Sequence, residues 1–183
     1  FTLGVSGSRI KTPENEIWQW VFSPRADIGY RISPSFMLKA GFTQANMPPS
    51  TGQLSGATSF HNQNIIVHGN PELVSSRANQ TIFSVVYHNK WLNINLSYNY
   101  LYMKNPINYY YQYEQPYIAY TPVNDNWYDI HTAAYSLRVS PFKNDLLALK
   151  LDGAFSYMRV DSKQLGRVTL FRVPLFYELT FNY

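Results

Sequence analysis

Charge is missing from one face of every strand-like stretch in this chain, and that exclusion limits the possible folds more than any other feature. Eight stretches alternate with the period of two that marks a β-strand. In residues 91–103, Leu92, Ile94, Leu96, Tyr98, Tyr100 and Tyr102 point one way, and Asn93, Asn95, Ser97 and Asn99 the other. Residues 147–157 set Leu147, Leu149, Leu151, Gly153, Phe155 and Tyr157 against Ala148, Lys150, Asp152, Ala154 and Ser156. Residues 171–181 set Phe171, Val173, Leu175, Tyr177, Leu179 and Phe181 against Arg172 and Glu178. Shorter versions carry Phe1, Leu3 and Val5; Phe22, Ala26, Ile28, Tyr30 and Ile32; Phe36, Leu38, Ala40 and Phe42; and Ala133, Tyr135, Leu137 and Val139. In the remaining one, Phe83, Val85 and Tyr87 form the apolar side, with Ile82 and Val86 blurring the polar side. The charges within strand bodies, Arg25, Asp27, Arg31, Lys39, Arg138, Lys150, Asp152, Arg172 and Glu178, all fall on the second face.

A Lys or Arg facing lipid near the midplane costs roughly 2–4 kcal/mol, whereas a wet lumen accepts it. The pattern therefore predicts an all-β, antiparallel, up-and-down transmembrane barrel wall, with those nine charges facing the lumen. Length supports a membrane wall over a soluble sandwich: soluble strands have a mode of about 5–6 residues, while tilted spanning strands need roughly 9–11. Tyr30, Tyr98, Tyr100 and Tyr102 sit where an aromatic girdle would meet lipid headgroups. Short connections at residues 33–35, 89–90 and 141–145 alternate with long ones at 9–17, 46–78, 104–129 and 159–167. In outer-membrane barrels the short turns are periplasmic and the long loops extracellular, which fixes the expected orientation and a bacterial outer-membrane location.

Composition narrows the rest. With 16 tyrosines, 11 phenylalanines and only 14% charged residues, the mean hydropathy is −0.28 because half of each strand is polar. No run approaches the ~18 apolar residues of a membrane helix. Cysteine is absent, so neither disulfides nor thiolate chemistry is expected. The net charge of +4 is spread without a basic cluster, which argues against nucleic acid. His61, His68, His88 and His131 lack ligand spacing, and no nucleophile elbow or phosphate loop occurs; the expectation is no metal, no cofactor and no enzyme activity. Two glycosylation-like triplets at Asn79 and Asn95 lie inside strands and read as coincidence.

The order of short motifs is informative. Residues 22–30 (FSPRADIGY), a short turn, residues 38–42 (LKAGF), residues 69–73 (GNPEL), a new strand and residues 104–107 (KNPI) follow one another. This succession resembles the barrel domain of TonB-dependent outer-membrane receptors, particularly the Bacteroides type, from about Trp18 onward. Residues 74–77 (VSSR) depart from the usual proline and glutamate after the GNP-L segment. The resemblance implies a barrel of about 22 strands around a plug, so these eight strands are expected to be a segment of it, with residues 1–183 a single barrel piece. Neither the plug domain nor the TonB-contacting box has a counterpart within these residues, and they include no signal peptide, so the chain is expected to be a piece of something larger. Expected partners are outer-membrane lipid, the remainder of the barrel and its plug, TonB through the plug, and a surface lipoprotein. Alternating Leu179, Phe181 and Tyr183 keep open a complete small barrel, since they resemble an assembly signal on a last strand.

Ligand contacts are expected on the long loops. Tyr109, Tyr110, Tyr111, Tyr113, Tyr117, Tyr120 and Trp127 supply flat amphipathic rings that order at little entropic cost. Asn62 and Asn64 are the candidate hydrogen-bonding residues of the other loop. Structural packing of loop on loop competes for any single tyrosine. The leading functional expectation is nutrient import of a glycan, siderophore or peptide; a passive porin or anchor and a soluble carbohydrate-binding module are the alternatives.

Overall fold

The computed structural model describes residues 2–11, 18–142 and 147–181, with side chains described for 22–142 and 147–177. Phe1, the terminal Tyr183, most of the predicted 141–145 turn and the side chains of Leu3, Val5, Glu178, Leu179 and Phe181 lie outside the described residues.

Alternating sequence becomes long strands. In chain order they are β1 (Thr2–Lys11), β2 (Trp18–Ser33), β3 (Phe36–Met47), the helical turn α1 (Thr51–Leu54), β4 (Thr58–Asn62), β5 (Ile65–His68), β6 (Ser76–His88), β7 (Leu92–Lys104), β8 (Ile107–Glu114), β9 (Tyr117–Asn124), β10 (Trp127–Val139), β11 (Leu147–Ser162), β12 (Gly166–Arg172) and β13 (Leu175–Phe181). Two sheets result: a wall in the order β1-β2-β3-β6-β7-β10-β11-β12, with β13 also on β11, and a four-stranded sheet β4-β5-β9-β8. Every neighbour in the wall is antiparallel. The eighth predicted strand is present in two pieces. Pro174 has no N–H to give the ladder, so β12 stops before it and β13 resumes after it on the same partner. Its carbonyl still accepts from Ala154 N at 3.0 Å, and the two pieces keep one register on β11, so the stave stays attached across the break.

The register sorts the side chains. Rows run across the wall as Ile28–Ala40–Phe83–Tyr98–Ala133–Phe155 and as Tyr30–Leu38–Val85–Leu96–Tyr135–Gly153–Leu175. A side chain at Gly153 would sit 2.6 Å from the Tyr135 ring, so glycine lets that ring lie across its partner strand. On the opposite face the same register collects the eight predicted charges whose side chains are described, for example Arg138 beside Lys150 in one row, while the ninth, Glu178, lies outside the described side chains. There Asp27 pairs with Arg25 at 2.7 Å and Asp152 with Lys150 at 2.8 Å, while Gln80 bonds Asn99 and Thr132 bonds Ser156.

No second sheet covers the apolar face among the described residues: Phe83 is 53% exposed and Leu96 48%. From the Leu92–Val139–Leu149 row to the Tyr100–His131–Tyr157 row this face carries no acidic, lysine or arginine side chain over eight residues of strand. That is ~27 Å along the strands, or about 20 Å once they tilt, close to the roughly 25 Å apolar band of outer-membrane barrels. Beyond it the same face changes character. Asp129 and Arg159, which the sequence placed at loop boundaries, are register partners one row further on, hydrogen-bonded through Nε at 2.9 Å and through Nη2. Among the described residues the buried hydrophobic side chains larger than alanine, Leu54, Ile66 and Leu73, belong to the two long connections at that end, as does Ala119, while the wall contributes Ala78 and Ala148.

Candidate functional site

The two long connections, residues 48–75 and 105–126, do not hang free; they build one cap. Ser50 starts it with a reciprocal capping box: its Oγ accepts from Gln53 N and Gln53 Oε1 accepts from Ser50 N. Asn62 turns β4 into β5 by accepting from Asn64 N at 2.9 Å. The short apolar run Ile65, Ile66 and Val67 then lies parallel to Ile118, Ala119 and Tyr120 of β9, joining one connection to the other. Asn64 O accepts from Ile118 N at the start of that seam.

The GNPEL segment pins the junction. Gly69 passes so close to Ser55 that an added Cβ would lie 1.5 Å from its carbonyl oxygen. Asn70 donates to Pro122 O at 3.0 Å, accepts from Glu72 N at 3.0 Å, and bonds Gln53 O through its backbone. Leu73 is buried at 7% exposure, and Asn124 brackets Val74 by accepting from its N–H and donating to its carbonyl. Glycine, Asn70 and Leu73 each have a packing reason to be there.

Against this frame the predicted tyrosines separate. Tyr109, Tyr111 and Tyr113 share one face of β8 and are 47%, 65% and 73% exposed. Tyr120 is the register partner of Tyr111, with ring centroids 6.4 Å apart. These four form a single aromatic row, anchored where Gln53 Nε2 donates to Tyr109 Oη at 3.1 Å. Tyr110 turns the other way and donates its hydroxyl to Asp125. Tyr117 also faces the other side, edge-on to Phe60. Trp127 is not on the loop at all: it opens β10 in the wall, stacked on Tyr102 with Arg159 at 6.0 Å. The Asn62 side chain is engaged in the turn, whereas Asn64 gives its backbone N–H to that turn and its carbonyl to the seam.

Asp125 is the residue that sequence reading missed. It is 2% exposed and accepts from Tyr110 Oη, Asn108 Nδ2, Ser162 Oγ and Lys163 N, so the 105–126 connection is tied to the β11–β12 turn. Burial alone would push its carboxyl up, but these donors outweigh burial and hold it below the ordinary value. Burial, then the bond to Asp125, raises the Tyr110 phenol. The available signal was the Asn124-Asp125-Asn126 run between aromatic strands, which is rich in residues that bond neighbouring backbone. His68 lies beside Thr58 and Glu114, and no grouping able to hold a metal occurs among the described residues.

Comparison with known proteins fits this geometry. The family model described as TonB dependent receptor-like, beta-barrel matches residues 1–164. Among solved structures, the siderophore receptor PirA from Pseudomonas aeruginosa is 13% identical, with 87% of this chain and 35% of that chain covered and a TM-score of 0.63. A mutant of the ferric enterobactin receptor PfeA from Pseudomonas aeruginosa, in complex with enterobactin, gives 19%, 88% and 26%, with a TM-score of 0.64. The copper transporter OprC gives 14%, 84% and 24%, with a TM-score of 0.60. At such identities the likeness is one of fold, and the chain spans about a quarter to a third of those receptors. No curated protein sequence matches the chain.

Proposed function

Since this chain belongs to the TonB-dependent receptor β-barrel family, we propose that it forms part of the wall and the extracellular cap of an energised importer of a scarce nutrient. In this reading the charged face lines the lumen against a plug, TonB acts through that plug, and the long-connection end faces outward. The cap captures the cargo, of glycan, siderophore or peptide class. The observation that carries the reading is the aromatic row of exposed Tyr109, Tyr111 and Tyr113 beside half-buried Tyr120, on a sheet braced from both connections. Rings two residues apart stand ~7 Å from one another along a strand. Such a row stacks on an extended ligand at little ordering cost.

The test uses the full-length receptor in its outer membrane. Cells receive ferric enterobactin, a malto-oligosaccharide or a tripeptide, with and without a protonophore. Import of one probe that the protonophore abolishes, and that the triple change Tyr109→Ala, Tyr111→Ala, Tyr113→Ala weakens at least tenfold, supports the reading. Flux indifferent to the protonophore marks a passive channel instead. A protein that leaves the cell envelope without detergent marks a soluble module.

A further inference from the structure

Above the apolar band, on the same face of the wall, the register sets two cations directly opposite each other. Arg77 of β6 and Lys104 of β7 are partners in the row Asn46–Arg77–Lys104–Trp127–Asp161–Arg167. Opposed residues in a sheet have Cβ atoms about 4.5–5.5 Å apart, and like charges there destabilise the pair. No acidic side chain relieves it among the described residues. Arg77 donates through Nε to the neutral Asn46 at 3.3 Å, and neither cation has a carboxylate partner among the described residues. Their neighbours do: Arg159 has Asp129, and Arg167 has Asp161 at 3.7 Å. Both Arg77 and Lys104 are exposed.

A second observation lies below them. The same face holds an open groove of ≈ 580 Å³ lined by Phe83, Val85, Leu96, Tyr98, Ala133 and Tyr135. Lys104 and Tyr98 are six residues apart on one strand, a distance of ~20 Å that matches a lipid reaching from headgroup into its acyl chains. The Tyr102–Trp127 stack stands beside the cations, at the level where amphipathic rings meet headgroups.

We propose that Arg77 and Lys104 clamp the phosphate of an outer-leaflet phosphoglycolipid whose acyl chain lies in the groove beneath. The anion cancels the opposed charges, which explains why the two neighbouring cations have acids and this pair has none among the described residues. A soluble anionic cargo is a poorer fit, because the pair shares its face with the apolar band and not with the charged face. The proposal rests on the outer-membrane, loops-outward reading above.

The full-length receptor, purified in mild detergent, is tested for retention of bisphosphorylated lipid A, dephosphorylated lipid A and inorganic phosphate. The phosphorylated lipid is expected to be retained, and the double variant Arg77→Gln/Lys104→Gln to retain it about thirtyfold less firmly, each basic residue near an anionic surface being worth about 1 kcal/mol. Lys39→Gln, on the opposite face, leaves retention unchanged. Heat-modifiable migration verifies that each variant is folded. Equal retention by the double variant, equal retention of dephosphorylated lipid, or displacement of the lipid by millimolar inorganic phosphate overturns the clamp. Uptake measured in the same strains separates the two readings: lost lipid selectivity with protonophore-sensitive import intact sinks only the clamp.

Discussion

A carboxylate that is 2% exposed remains ionised at Asp125 because four donors converge on it. Hydrogen bonds to a charged group are worth roughly 1.5–3 kcal/mol, so Asp125→Asn is expected to loosen the cap by about that amount. Hydrogen exchange of the β8 and β9 amides in the full-length receptor measures it, with acceleration of about ten- to a hundredfold. The sign with pH follows from the direction of the shift. The folded carboxyl lies below its ordinary 3.8, so its contribution is present above that value and is lost as pH falls through the lower folded one. Cap protection in the native receptor should therefore decline in acid below about pH 4, and in Asp125→Asn it should not. Gly69→Ala makes a second case: with a Cβ 1.5 Å from the Ser55 carbonyl, the backbone must move. About 1–3 kcal/mol of cap stability should go with it, read by the same exchange. Little of this was legible in advance. The GNPEL motif was visible as a motif, yet its reason, a close backbone approach between segments far apart in sequence, exists only once the chain is folded.

The wall strands were the most legible elements, because lipid on one side and a polar interior on the other impose a period that each strand carries by itself. Leu96 and Ser97 are adjacent, and the register sends them to opposite faces. Leu96→Lys puts a charge into the apolar band and should cost about 2–4 kcal/mol. Ser97→Lys, between Ser84 and Ala134 on the charged face, should cost less than about 1 kcal/mol. Denaturant titration of the full-length barrel in lipid vesicles compares the two, and equal penalties would refute the assignment of faces. Strands inside the long connections stayed hidden for a physical reason. β8 sets Tyr109, Tyr110 and Tyr111 side by side, so both faces look alike, and β5 is a four-residue strand whose first three residues are apolar, with no alternation. The same blindness placed Asp129 and Arg159 at loop boundaries, when they continue the apolar face into its polar margin. The Bacteroides-type detail rests on short motifs alone, whereas the receptor family rests on a match across residues 1–164.

At the scale of the molecule the wall is an open arc. Among the described residues β1 has only β2 as neighbour, and β12 and β13 have only β11. About half the backbone groups of an edge strand point away from its partner. In hydrocarbon each costs several kcal/mol, so two edges of this length outweigh the whole 5–15 kcal/mol stability of an ordinary domain. Strands from elsewhere must therefore satisfy them, and the solved receptors, of which this chain spans 24–35%, have the length to supply such strands in one polypeptide. It follows that residues 1–183 refolded alone into detergent micelles should not give a monomeric, heat-modifiable, protease-resistant barrel, while the full-length receptor should. Folding of the isolated residues into a compact monomer would mean that β1 closes onto β13. The wall would then be a small barrel filled by its own side chains, and the cap would sit over a lumen too narrow for a plug.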